Sequence, residues 1–159
     1  MKSLASFRTQ ALFAAAALSL FSACGHDFRA ATPRGFVELE DQESYDYRAT
    51  SADGLVIGVR EIDNEPRGEL DFWARAIENQ LRGRRGYALL ETREIRSKDG
   101  VPGKQFRFGH DEGQTPHLYY LSVFVTPKRI QILEVGGTKE LMAKSSTATD
   151  FAIANFSVN

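Results

Sequence analysis

Apolar and polar positions change period several times along this chain, and each change marks an element. An uncharged apolar run over residues 11–21 (ALFAAAALSLF) comes first. Beyond residue 34 the pattern settles to period two. Residues 35–39 (GFVEL) read as a short first strand and residues 45–49 (YDYRA) alternate as a half-buried one. Residues 55–62 (LVIGVREI) then place Leu55, Ile57 and Val59 on one face. Residues 51–54 (SADG) lie between the last two and carry Asp-Gly, the strongest short signal for a hairpin turn.

Residues 64–68 (NEPRG) break that period. Leu70, Trp73, Ile77 and Leu81 then recur at spacings of three and four, with Ala74 and Ala76 beside them, which predicts an amphipathic helix over about 69–82. Glu69 and Asp71 open this helix and Arg82 closes it, the order that the helix dipole favours, and Gly83 or Gly86 would end it. On this pattern Trp73 is buried against a sheet. Period two returns over 87–96 (YALLETREIR), followed by a second Asp-Gly turn at 97–100 (SKDG) and by 104–108 (KQFRF), where Phe106 and Phe108 share a face. Residues 110–115 read as a polar loop. Residues 118–125 (LYYLSVFV), apolar on both faces, read as a central strand, and 130–135 (IQILEV) as its neighbour. A weaker helical pattern runs over 138–155, with Leu141, Ala148, Ala152 and Phe156 on its buried side and 145–149 (SSTAT) as its interruption; residues 156–158 end the chain as a short strand.

The predicted order is three strands, a helix, four strands and a helix. With no long loops, consecutive strands are expected to pair as neighbours. This is an α+β architecture: an antiparallel sheet of about six to seven strands flanked by two helices, an α/β/α sandwich. Four stretches carry a resemblance to the PsbP/DcrB-like superfamily: Gly35-Phe36; residues 53–57 (DGLVI) with the helix around Trp73; residues 99–103 (DGVPG) leading to Phe106; and the closing 154–158 (ANFSV). The resemblance covers nearly all of the chain beyond residue 34. It implies a sheet sandwiched by helices, and proteins that bind partners or assemble complexes without a shared catalytic site.

The N-terminal run has the parts of a secretory signal. Lys2 and Arg8 precede it, Ser22 and Ala23 follow, and then comes Cys24, the single cysteine. Signal cores hold about 7–15 apolar residues, whereas a membrane-spanning helix needs about 20. Residues 21–24 (FSAC) resemble the lipobox of bacterial lipoproteins, with Phe21 where Leu is usual. That resemblance implies a diacylglyceryl group on the Cys24 sulfur, cleavage just before it, and acylation of the new amino group. Gly25, where an Asp would signal retention in the inner membrane, implies the outer membrane, facing the periplasm. The expected organisation is a signal peptide over 1–23, a lipidated tether over 24–34 and one α+β domain over 35–159. An ordinary secreted protein cut after a small residue is the rival reading. Lipidation also accounts for a lone cysteine in an exported chain, where no disulfide framework can form.

Charge adds little. The formal net charge is −1, and loss of Lys2 and Arg8 leaves the remainder more acidic, which argues against nucleic acid as a partner. Candidate chemistry is sparse and scattered. Of three histidines, His26 falls in the tether, while His110 and His117 flank a loop with Asp111 and Glu112 and would meet across a hairpin. They show no metal-ligand spacing, so exposed loop residues are the simpler reading. Glu38, Glu40, Asp41, Glu43 and Asp46 crowd one segment without the arrangement of a calcium loop. Arg82, Arg84 and Arg85 form a small basic patch, either a surface for phosphate-rich headgroups or another partner, or simply caps on the helix C-terminus. Trp73 and the Tyr119-Tyr120 pair are candidates for the floor of a ligand groove, against the simpler reading as core. No nucleophile elbow, phosphate loop or zinc-protease helix is present, and no cofactor is implied. The expectation is a non-enzyme: a membrane-anchored binding or assembly module with an envelope protein partner. A small-ligand or metal carrier using the space between helix and sheet is the alternative.

Overall fold

The computed structural model describes residues 25–40 and 44–159; the signal segment, Cys24, Asp41 and Glu43 lie outside the described residues. The elements run β1 (Phe28–Arg29), β2 (Phe36–Glu38), β3 (Tyr47–Ser51), β4 (Val56–Asp63), α1 (Leu70–Arg85), β5 (Ala88–Arg96), β6 (Pro102–Glu112), β7 (Thr115–Val125), β8 (Arg129–Thr138), α2 (Lys139–Lys144), α3 (Ser146–Ala154) and β9 (Ser157–Val158). Strands β2 to β8 form one antiparallel sheet in the order β2-β3-β4-β8-β7-β6-β5, and β1 pairs with β9 in a separate two-stranded ribbon. The α+β sandwich expected from the pattern is therefore the observed architecture.

Within the seven-stranded sheet, consecutive strands are neighbours with one exception. β4 and β5 stand at opposite sides of β8, β7 and β6. Successive antiparallel pairings make β4 and β5 point the same way, so they cannot form a hairpin. α1 carries the chain back along one face to the starting end of the sheet, β5 takes the far edge, and the meander β5-β6-β7-β8 returns to pair with β4 from Val56↔Gly136 to Asp63↔Arg129. Asn64 fixes the start of this crossover. Buried at 2 % exposure, it donates to the Gly68 and Thr126 carbonyls and accepts from the Gly68 N–H and from Trp73 Nε1 at 2.8 Å. Trp73, expected to be buried against the sheet, does pack on the core there but is pinned at its rim, half-buried and edge-on to Phe72. Its indole N–H needs a polar partner, and that partner sits in the loop. α1 also outruns its predicted end by one turn and stops at Gly86, whose φ of 69° only glycine adopts freely.

Each face of the sheet has its own core. On the α1 side, Ala74 and Leu81 pack on Phe106, Phe108, Leu121, Val123 and Ile130. On the other side, Ile57, Val59, Leu133, Val135 and Phe124 lie under Met142, Ala152, Phe156 and the β1–β9 ribbon. The predicted C-terminal helix is two helices broken at Ser145, within the expected interruption. Residues 25–34, expected as a tether, are packed onto the domain: Phe28 is buried and its ring stacks on Phe156 at 5.8 Å. The chain ends are tied further by Asp99, whose carboxylate accepts from the Val158 N–H at 2.9 Å and from the Ser97 hydroxyl at 2.8 Å. Burial opposes charge on Asp99, but these hydrogen bonds outweigh it and hold its carboxyl below the usual range. Two of the four stretches behind the family resemblance, 99–103 and 154–158, therefore meet in space.

Phe156 touches both Phe28 and Phe124 and is fully buried, whereas Phe72 is 57 % exposed. In denaturant unfolding, Phe156→Ala should lose about 3–5 kcal/mol and Phe72→Ala under about 1 kcal/mol. Equal losses would mean that the C-terminal strand is not part of the cooperative core.

Candidate functional site

The register gives the sheet two ends with different contents. At one end, β4 finishes at Asp63 and β8 begins at Arg129. The N-terminal segment is fastened here. The Asp27 N–H donates to both oxygens of Glu61, at 3.1 and 3.3 Å, and the Asn159 N–H donates to the Asp27 carbonyl. His26 Nδ1 lies 3.6 Å from Glu61 and 3.7 Å from Asp46, whose other oxygen accepts from the Glu61 N–H at 2.6 Å. Asp46, expected in a half-buried strand near the acidic loop, therefore braces the backbone of β4 just before β3 begins. Glu38 and Glu40 are exposed.

At the opposite end lie the C-terminus of α1 and the β6–β7 hairpin. The expected polar loop at 110–115 is a two-residue turn: β6 continues to Glu112, β7 starts at Thr115, and His110 is directly paired with His117. Their rings are 6.4 Å apart, Glu112 stands 3.5 and 3.7 Å from the two Nε2 atoms, and Tyr87 packs on His110. Among the described residues no group of three or more His, Cys, Asp or Glu side chains is placed to hold a metal ion. Arg82, Arg84 and Arg85 occupy the last turn of α1, all exposed, beside the helix's negative end. Arg82 and Arg84 border two adjacent concavities that share Asn79. Arg82 pairs with Glu78 at 3.0 Å and faces a concavity with Tyr87 and Leu89, while Arg84 lines another with Ala76 and Gln80.

Tyr119 and Tyr120 point to opposite faces of β7, so they cannot floor a common groove. Tyr119 belongs to a polar cluster on the α1 side, in which Arg60 Nε is buried without a hydrogen-bond partner among the described residues. Glu134, 7 % exposed at its side chain, takes Arg60 Nη2 at 3.0 Å and the Tyr45 hydroxyl at 3.1 Å. The Arg60 guanidinium lies over the Tyr45 ring at 4.6 Å. That ring in turn rests on Gly58, where a Cβ would sit 2.5 Å from it, which explains a glycine in mid-strand. Burial first, then the Glu134 charge, raises the Tyr119 pKa far above the ordinary value.

Tyr120 faces the other way, into a cleft of about 350 Å³ between the sheet and α2–α3. Arg93, Arg107 and Lys139 reach it, together with Leu118, Met142, Ser146 and Asp150. The Arg107 guanidinium stacks on Tyr120 at 4.4 Å, and its Nε donates to Gln105 Oε1 at 3.0 Å. Gln105 is itself buried and donates to Ser122 Oγ at 3.2 Å. A larger cavity of about 510 Å³ lies by Phe36 and Phe151, but the lysine there, Lys144, is paired with Asp53. Sequence reasoning passed over the cationic cleft, although a signal existed. If Phe106 and Phe108 face one covered side of the sheet, Arg107 must face the other, and a charged residue turned towards a covered face asks for a reason.

The fold is PsbP-like. The solution structure of the cyanobacterial PsbP protein from Synechocystis sp. PCC 6803 superposes with a TM-score of 0.55, covering 89% of this chain and 99% of that one at 10% identity. A Mycobacterium tuberculosis protein, LpqN, described as involved in cell envelope biogenesis, gives a TM-score of 0.66 over 83% of both chains at 11% identity. A Pseudomonas aeruginosa protein of unknown function gives 0.52 over 83% of this chain and 84% of that one, at 13% identity. No family model matches the sequence, and no curated protein matches it. At these identities the likeness is one of fold.

The buried tyrosine yields a pH prediction. A phenol whose folded pKa is raised keeps its proton where the unfolded chain would release it. Its contribution to stability is intact below about pH 10 and is lost as pH rises beyond that value. Tyr45 and Tyr47 shift the same way, chiefly through burial. Unfolding free energies measured across alkaline pH should therefore fall above about pH 10, and Tyr119→Phe should make that descent shallower. An identical slope in the variant would remove Tyr119 from the account.

Proposed function

We propose that this chain is a lipid-anchored, non-catalytic binding or assembly module of the bacterial cell envelope. In this reading Cys24 carries the lipid, the anchor lies in the outer membrane facing the periplasm, and the domain presents itself to an envelope protein. The observation that carries the reading is the fastening of residues 25–29. Cys24 precedes His26 by two residues, a span of at most about 7 Å, and His26 and Asp27 are held by Glu61, Asp46 and Arg129 at one end of the sheet. A lipid on Cys24 would set that end against the membrane. β7 is 11 residues long, roughly 35 Å, so the α1 arginines and the paired histidines stand about that far from the anchor, facing the periplasm. This placement favours a protein partner for Arg84 and Arg85 over the headgroups of the anchoring membrane. The involvement of LpqN in envelope biogenesis supports an envelope setting. No helix among the described residues is long and apolar enough to cross a membrane, so anchorage in this reading rests on Cys24.

Two measurements test the reading. Cys24→Ser should abolish incorporation of a labelled fatty acid and release the protein from the membrane fraction; labelling that persists in the variant rules out the anchor. For the full chain in vesicles doped with a paramagnetic lipid, resonances of Lys128 and Arg129 should broaden strongly while those of Arg84 and Arg85 stay sharp. Comparable broadening at both ends would show that the domain lies flat and would overturn the orientation.

A further inference from the structure

We infer that the cleft between the sheet and α2–α3 is a binding site for a small organic anion: a phosphate or carboxylate on a compact apolar body. The inference stands apart from the lipid anchor, because the cleft is formed entirely within the described domain.

Arg107 carries the argument. Its side chain is only 19% exposed, yet it has no hydrogen bond from either terminal nitrogen to another described residue; Glu91 stands 3.6 Å from one of them. A guanidinium on a covered face is costly unless its donors find an acceptor. Arg107 is nonetheless held firmly, with Tyr120 beneath its plane and Gln105 fixing its Nε. Gln105 is 2% exposed and locked to Ser122, so the sheet supplies a rigid mount. A planar guanidinium clamped in this way presents its outer N–H groups in the fork geometry that matches a carboxylate or phosphate.

The opposite wall supplies a second cation. Lys139, at the start of α2, lines the cleft and has no ion-pair partner among the described residues. Ser146, the first residue of α3, lines it too, so the positive end of that helix adds to the field. Arg93 is partly neutralised by Glu91 at 2.7 Å, and Asp150 stands on the rim. Three cations against two carboxylates favour a small singly or doubly charged ligand over a polyanion. Leu118, Met142 and the Tyr120 ring give its body an apolar surface, and about 350 Å³ lies at the small end of the range for ligand pockets. Thr138, just before Lys139, pairs with His117 at the end of the sheet remote from Asp27, which favours a soluble ligand over a headgroup of the anchoring membrane.

Isothermal titration of the full chain in detergent micelles with phenyl phosphate tests the site, with benzoate as the carboxylate probe and phenol as the neutral control. Phenyl phosphate should bind saturably and phenol should not. Arg107→Gln and Lys139→Gln should each weaken binding about tenfold, while Lys98→Gln, at the exposed β5–β6 turn outside the cleft, leaves it unchanged. Lys139 is exposed and has no ion-pair partner among the described residues, so its variant keeps the test sharp even if Arg107→Gln lowers stability. Binding that persists with phosphatidylglycerol vesicles present assigns the site to a soluble anion; competition by the vesicles assigns the same anion chemistry to a headgroup. The inference fails if neither phenyl phosphate nor benzoate binds saturably by about 10 mM, or if Lys98→Gln weakens binding as much as Lys139→Gln does.

Discussion

The pairing of β4 with β8 is the constraint on which the rest of this structure depends. It joins residues 56–63 to residues 129–136, so a long loop must close before the ladder forms. Without it the protein is two separate pieces, a three-stranded β2-β3-β4 ribbon and a four-stranded β5-β8 meander. With it, both cores cross the seam: Ile57 and Val59 pack with Leu133 and Val135 on one face, and Arg60 meets Glu134 on the other. Asn64 places α1 so that this closure is possible, since its side chain ties the loop after β4 both to the β7–β8 turn and to Trp73.

Covering both faces of one sheet leaves little room for charge, and the chain handles its inward charges in two ways. Around Glu134 the solution is internal: Arg60 and Tyr45 satisfy the carboxylate, and Gly58 makes space for the tyrosine ring. Around Arg107 the pairing is looser, with Glu91 3.6 Å from one terminal nitrogen. Gln105 and Tyr120 fix the guanidinium without using its outer donors, and α2–α3 leave a gap above it. The first network is not complete either, since Arg60 Nε is buried without a hydrogen-bond partner among the described residues, whereas the outer donors of Arg107 border an open cleft.

The domain is also polar along its length. Its N-terminal segment, C-terminus and Asp99 turn gather at one end, and the α1 arginines with the His110–His117 pair occupy the other. This arrangement gives meaning to a short N-terminal segment that would otherwise be a mere leash. Because β1 is stitched to β9 and His26 to Glu61, any attachment at residue 24 would control the orientation of the domain as well as its location.

Much of this architecture was legible in the sequence, and the reason is local periodicity. The period-two runs marked β2 to β8, the three-and-four spacing from Leu70 to Leu81 marked α1, and SSTAT marked the break between α2 and α3, because each depends on residues close in the chain. The likeness of 99–103 and 154–158 to one fold family was legible too, but not that Asp99 and Val158 touch. Which polar residues share a cleft was less legible, for the same reason. Arg82, Arg84 and Arg85 are conspicuous because they are close in sequence, and all three stand exposed in the last turn of α1. Arg93, Arg107 and Lys139 are dispersed over more than forty residues, and only the β5-β6-β7 register and the return of α2 across the sheet bring them to one cleft. Local pattern determines which elements form and which face each buries; long-range pairing decides which of their polar residues meet, because that depends on strand order and crossover, which no short window contains.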